Sequence, residues 1–431
     1  MRWAAQRNGE SRVAQKGKKK DWTRKEKRGA ARRCGRFFFI KWLGIASLLL
    51  WGTIGKGAES SPAPSPTASQ SSSTNPSDKE LEKLLQEFGL QLWERGGEIR
   101  FGLGYKDNPT LRARHPQGSP LWYSELEGYL YRLPINRWST SLSLYGEDTR
   151  YFDSQTTDYE SFVYGDWMNQ WIIGEADKVG IRLGAMYQDQ VIDASITEEI
   201  LETIQARGSE LEAWLGWTHR WDSGVEVQVE GGGGRQWYRE PLDDYWEIGP
   251  RLNLDLPLGK QWKPYLEYEW MYRMYDTRHP MRRTGYLDFS TPLRYFRHRL
   301  EIGVQWRASW GRKGRFSIES FIDYNRNDDN GDGYFAYHRV GGGFRVRYQS
   351  EGWWLESSFR TYGYLFDWQP VWGYWDKVRR KWDWTFRAEG RRRVNQEVWL
   401  FVYFTHEEST SNQPFDEYSA NAVTGGILYK F

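Results

Sequence analysis

The chain has 431 residues and one cysteine, Cys34, which lies in the basic N-terminal stretch. No disulfide framework and no thiolate metal site can be built from one thiol. The six histidines, His115, His219, His279, His298, His338 and His406, are scattered. None forms an H-E-x-x-H pair, and no nucleophile elbow is present. No catalytic residues, no metal centre and no cofactor are therefore expected, and the chain does not read as an enzyme. The body of the sequence also lacks any apolar run of about 18 residues, which excludes a helical multi-pass protein. Mean hydropathy is −0.81.

What is abundant is aromatic. Trp, Tyr and Phe make up 17% of the chain, with 26 Trp. A soluble core does not need that many indoles, whereas interfacial girdles do. The N-terminus is basic through residue 36, then apolar from Phe37 to Ile54 with Lys41 interrupting. Residues 1–58 read as a secretory signal, with an uncleaved anchor helix as the alternative. Of the 60 Lys+Arg and 57 Asp+Glu, 16 and 3 lie before residue 59, leaving 44 and 54. The mature chain is thus acidic, with a net charge near −10, and no nucleic-acid partner is implied. Residues 59–77 are a Ser/Pro-rich tether. In 78–97, Ser77 and Glu80 fit a capping box, and Leu81, Leu84, Leu85, Phe88 and Leu92 share one helical face. This segment is expected to be an amphipathic helix that plugs, caps or binds a partner.

From Glu98 onward the period changes to two. In YWEIGPRLNLDL, Trp246, Ile248, Leu252 and Leu254 oppose Glu247, Arg251, Asn253 and Asp255. Successive side chains of a strand point to opposite faces, so each such stretch has one apolar and one polar face. Sixteen stretches of this kind are expected between 98 and 431. The connections after even strands are short, and those after odd strands are mostly long. The last stretch, YSANAVTGGILYKF, places Ile427, Tyr429 and Phe431 on one face. A chain that ends on an aromatic, with another two positions earlier, resembles the closing strand of bacterial outer-membrane β-barrels. The resemblance implies an all-β, up-and-down transmembrane barrel over 98–431. It also implies an assembly signal in Ile427, Tyr429 and Phe431 read by the barrel-assembly machinery. Contact with outer-membrane lipid and lipopolysaccharide follows, as does a possible homo-trimer by analogy with sixteen-stranded porins.

Sixteen strands enclose an aqueous lumen unless something fills it. The alternation turns Glu125, Glu127, Glu226, Glu230, Glu247, Glu267 and Glu269 inward as an acidic wall. It turns Arg297, Arg299, Arg307, Arg345, Arg347, Arg360, Arg387 and Arg391 inward as a basic wall. Facing walls of opposite sign resemble general diffusion porins and imply passive transport of small polar solutes. The same residues would equally serve as cross-strand ion pairs that solvate the interior. A competing function is a non-conducting surface or assembly barrel that binds a partner or polysaccharide. Arg278, Arg282 and Arg283 in the long 274–294 connection could fold inward as a constriction or outward toward phosphates. Trp368, Trp372, Tyr374 and Trp375 form either a sugar-stacking loop or the rim of longer strands. Asp328, Asn330 and Asp332 match the first half of a calcium loop, although position twelve is Arg339 rather than Glu.

Overall fold

The computed structural model describes residues 92–113, 115–135, 137–154, 157–193, 203–310, 314–371, 373–413 and 416–431. Sixteen strands run in chain order: β1 Trp93–Lys106, β2 Ser119–Ile135, β3 Trp138–Tyr151, β4 Tyr159–Ile173, β5 Asp177–Asp193, β6 Thr203–Arg220, β7 Glu226–Tyr238 and β8 Tyr245–Asp255. They continue as β9 Trp262–Tyr275, β10 Arg294–Trp310, β11 Gly314–Asp329, β12 Tyr337–Gln349, β13 Trp353–Val371, β14 Tyr374–Arg393, β15 Val398–Ser411 and β16 Tyr418–Lys430. Each pairs antiparallel with its neighbours in sequence, and β1 pairs with β16 to close a barrel. All sixteen expected strands are present. The barrel starts earlier than expected: Trp93 to Gly97, read as the end of the helix, belong to β1. Backbone pairing with β2 from Trp93 to Lys106 overrides the local helical pattern there. The signal segment, the tether and the rest of the helix lie outside the described residues.

The period-two pattern becomes an inside and an outside. Phe101, Leu103 and Tyr105 of β1 face out, as do Trp246 and Ile248 of β8 and Ile322 of β11, the last 69% exposed. A water-soluble protein does not leave such a continuous apolar surface bare, so this exterior is built to meet lipid. Near the short-turn end, Trp262, Trp306 and Phe316 contact one another in a row, with ring centroids 6.2 and 6.0 Å apart. Such amphipathic rings suit the membrane–water boundary. Tyr429 and Phe431 stack on each other on the outer face.

The seam is the last pair to form in sequence, and it depends on glycine. Gly97 N–H donates to the Phe431 carbonyl at 3.0 Å, and Phe431 N–H returns the bond to Gly97 at 3.1 Å. Gly426 sits opposite Gly102, and a Cβ on Gly426 would collide with the Phe101 carbonyl and the Gly102 Cα.

The turn asymmetry holds for most connections, although the one between β7 and β8 is no longer than the one between β8 and β9. The connection expected as a long loop between residues 364 and 379 is a two-residue turn, because β13 runs to Val371 and β14 starts at Tyr374. Tyr364 and Phe366 continue the inward face, so the alternation simply outlasts the expected boundary. Trp368 therefore lies on a strand and packs against Tyr334 at 6.1 Å. Tyr374 is exposed, with the Lys377 ammonium 4.5 Å above its ring. Trp372 and the Trp375 side chain lie outside what is described.

Replacing Gly426 with Val is expected to weaken the seam by about 1–3 kcal/mol, the usual cost of overpacking. Gly128→Val on the lipid face meets open space and is expected to be neutral. Mobility of unheated against heated protein on denaturing gels checks both. Equal behaviour of the two variants would contradict the seam assignment.

Candidate functional site: the lumen and its mouth

The inward residues form a cavity of about 570 Å³ against β1–β4 and β12–β16. Its lining holds eight carboxylates, from Glu98, Glu125, Glu127, Glu147, Glu160, Glu356, Glu389 and Glu407. It also holds eight cations, from Arg100, Lys106, Arg345, Arg347, Arg360, Arg387, Arg391 and Lys430. The cavity is therefore charge-balanced. From the expected acidic wall it takes Glu125 and Glu127. From the expected basic wall it takes Arg345, Arg347, Arg360, Arg387 and Arg391.

Arg100 sits at the centre of this lining. It pairs with Glu98, with Glu125 at 3.3 Å and with Glu389 of β14 at 3.4 Å. Arg391 binds Glu389 at 2.6 Å and Glu98 at 3.1 Å, and Lys430 reaches Glu98 at 3.3 Å. Side chains from β14 and β1 thus meet, although β15 and β16 separate the two strands along the wall. Arg100 and Glu98 were not singled out in the sequence. The signal was there: they alternate with the outward Ile99 and Phe101.

The remaining expected wall residues lie on strands away from the cavity lining, and most are tied to partners. Arg273 and Arg297 hold Glu247 at 3.0 and 2.8 Å. Arg251 and Arg297 hold Glu269 at 3.0 and 2.9 Å, and the Arg251 guanidinium lies 3.4 Å over Trp214. Glu230 accepts from Gln228 at 2.9 Å. Arg299 binds Glu301 at 2.6 Å and Asp323 at 2.7 Å, and Arg307 donates to Gln305 at 2.6 Å. Glu226 and Glu267 face the same interior from β7 and β9, where the register sets Glu226 opposite Asp255 and Glu267 opposite Glu301. Ion pairing across strands is the dominant pattern on that side.

The long-loop mouth is narrowed by inward-folded connections. Leu111, in the β1–β2 connection, is buried with Val191 of β5 and Ala420 of β16, strands that are not neighbours around the wall. Asn108 anchors it, donating to the Ser419 and Arg112 carbonyls at 2.9 and 3.1 Å. On the other side, Leu293 and Phe335 bury with Tyr245, Tyr275 and Tyr295. Arg278 folds inward onto this cluster, its guanidinium 4.4 Å over Phe335. Arg282 stays at the surface, paired with Asp288, and Arg283 hydrogen-bonds through its backbone N–H to Asp332 at 2.9 Å.

The three expected calcium ligands each hold protein partners. Asp328 pairs with Arg326, Asn330 accepts from Arg294 N–H at 2.8 Å, and Asp332 serves Arg282 and Arg283. Each expected ligand has its own cationic or N–H partner. The carboxylate that organises the turn is instead Asp329, which accepts from the Gly331, Gly333 and Phe335 N–H groups.

A closed sixteen-stranded barrel with an apolar exterior and a charged interior defines the class: this is a transmembrane β-barrel of the outer-membrane type. No protein-family model matches the chain, and no curated protein does either. Among solved structures it is similar to OccK9 (OpdG) of Pseudomonas aeruginosa, with 10% identity over 79% of this chain and 98% of that one, at a TM-score of 0.42. It is also similar to the outer membrane protein OprD of Pseudomonas aeruginosa, with 8% identity over 78% and 94%, at 0.41. CdiB of Acinetobacter baumannii matches with 9% identity over 79% of this chain and 60% of its own, at 0.41. The class rests on the barrel itself rather than on these likenesses.

Arg100→Met leaves Glu98, Glu125 and Glu389 short of one counter-charge in a buried cluster. A loss of about 3–5 kcal/mol is expected, the cost of breaking a buried pair. Adding Glu125→Gln is expected to recover part of it. Urea unfolding of the reconstituted barrel measures both, and strict additivity of the two changes would contradict the coupling.

Asp288, in the long connection outside the membrane, is held down to about 2 by hydrogen bonds from Ser290 and Arg282. A depressed carboxyl stabilises above its ordinary range of about 4 and is lost as pH falls through its folded value. Proteolysis at 276–293 is therefore expected to accelerate below about pH 3. Acid-tolerant protease mapping checks this, and a cleavage rate flat down to pH 2 would contradict it.

Proposed function

We propose that this protein is a porin-like channel for passive diffusion of small polar solutes across the outer membrane. The observation that carries the reading is the charge-lined cavity of about 570 Å³ inside a closed barrel. Polar solutes cross lipid poorly because their groups lose hydration, and a lumen lined with charge replaces that hydration. The balance of eight acids and eight bases favours solutes over bulk ion selection, since neither sign dominates the path. The inward fold of Leu111 and of the Phe335 cluster supports a narrowed mouth that limits solute size. The same inward fold favours the second reading, a barrel silent to ions whose outer loops serve a partner or polysaccharide.

The full chain reconstituted in a planar bilayer is expected to give discrete conductance steps. Under a KCl gradient the cation-to-anion permeability ratio is expected to stay within ~2-fold of unity, because the lining charge sums to zero. Excising residues 109–117 is expected to raise the step size by removing Leu111 from the mouth. Absence of steps in both the intact and the excised chain would sink the channel reading and leave the surface role.

A further inference from the structure

The membrane-facing surface at the short-turn end differs from one arc of the barrel to the next. We propose that the arc over β1–β4 binds the head group of an anionic glycerophospholipid, with Arg95 and Arg137 as its phosphate ligands. This binding does not depend on whether the lumen conducts.

Short turns of outer-membrane barrels lie on the periplasmic side. Arg95 is exposed on β1, two residues from Trp93, whose indole is also exposed. Its partner in the register is the outward Leu130. Arg132 stands opposite Trp93, and its guanidinium lies 4.0 Å over the Trp138 ring and donates to the Trp138 carbonyl at 2.7 Å. Trp138 in turn stands opposite the exposed Trp171. Arg137 closes the turn between β2 and β3 and is exposed. Three arginines thus lie among three tryptophans at the depth where lipid head groups sit.

Two features set this arc apart. Among the described residues, the side chains of Arg95 and Arg137 make no ion pair and no hydrogen bond. Outward arginines elsewhere are paired, as Arg150 is with Asp148, Arg235 with Asp276 and Arg326 with Asp367. Glu94 alternates to the inner face, and Glu175 and Glu397 stand in the β4–β5 and β14–β15 turns without reaching either arginine. The second feature is the backbone of Arg137, which holds a left-handed φ of 57°. Glycine adopts that conformation freely and a long side chain does not. The turn is nevertheless fixed, because the Arg137 carbonyl accepts from the Ile172 N–H at 2.7 Å. A strained position that keeps a cation points to a use for the cation.

A phosphodiester is the matching group. It spreads one negative charge over two oxygens, which a guanidinium binds as a fork. The acyl chains attached to it meet the outward Leu142 and Trp167 above the arginines. A head group with its own ammonium already neutralises its phosphate, so it gains less from the two arginines. The neighbouring arc over β5–β6 is the opposite case. There the Trp217 and His219 rings both engage Asp177, at 3.0 and 2.9 Å, and a carboxylate at that depth repels a phosphate.

The test is native mass spectrometry of the full chain in detergent with equimolar phosphatidylglycerol and phosphatidylethanolamine of identical acyl chains. The ratio of the two in the first bound lipid is the readout. Each unpaired arginine near the surface is worth about 5-fold, so the wild type is expected to favour phosphatidylglycerol about 25-fold. Arg95→Gln and Arg137→Gln are each expected to bring the ratio to about 5, and the double variant to about one. Lysine at both positions is expected to keep most of the preference. Lys260→Gln, which removes the same charge from the β8–β9 turn, is expected to leave it unchanged. Gel mobility before and after heating confirms that each variant has closed its barrel. A ratio near one in the wild type, or an unmoved ratio in the double glutamine variant, overturns the proposal. So does an equal loss in Lys260→Gln, which would make the preference one of net charge rather than of this arc.

Discussion

Every backbone N–H and C=O inside a lipid bilayer must find its partner within the protein. That single constraint accounts for the architecture. A sheet satisfies it only when its first and last strands meet, so the pairing of β1 with β16 is what the other fifteen pairings depend on. The residues at that seam are chosen for approach rather than for packing. Gly97, Gly102 and Gly426 let the two backbones come together, and the reciprocal bonds between Gly97 and Phe431 end the ladder at the short-turn side.

Closure creates a second problem, since it encloses a space that side chains must solvate. The solution differs around the wall. On β7–β11 arginines bridge carboxylates from strand to strand, as Arg297 does between Glu247 and Glu269. On β1–β4 and β12–β16 the charges leave a cavity, and Arg100 spans it to Glu389. Burial makes both arrangements costly to break, because a lost partner leaves a charge in a low-dielectric setting. The loops then decide access. Leu111 and Phe335 carry apolar side chains into the mouth, where they bury with strand residues instead of facing water.

The fold was legible to an unusual degree, and the reason is physical. Lipid outside and water inside impose one rule on every strand, so the period-two pattern recurs from β1 to β16, interrupted by register shifts in β2 and β13. Elements whose conformation depends on another segment were harder to read. Trp93 to Gly97 carry a helical face in isolation, yet pairing with β2 makes them strand. The turn at 372–373 was hidden because the aromatics of 364–375 read equally well as loop or strand.

Sequence by itself determined the barrel, its strand number, its inward and outward faces and the side on which the long connections lie, because these follow from alternation along one chain. It also placed Glu125, Glu127, Arg345, Arg347, Arg360, Arg387 and Arg391 on the interior. Tertiary structure alone decided which of those interior charges neutralise one another, since pairs such as Arg100 with Glu389 join residues 289 positions apart. It alone decided that Arg278 turns inward while Arg282 stays outside, and that Asp328, Asn330 and Asp332 part company. Alternation specifies a direction for each side chain, whereas partnership depends on the curvature that brings distant strands within reach.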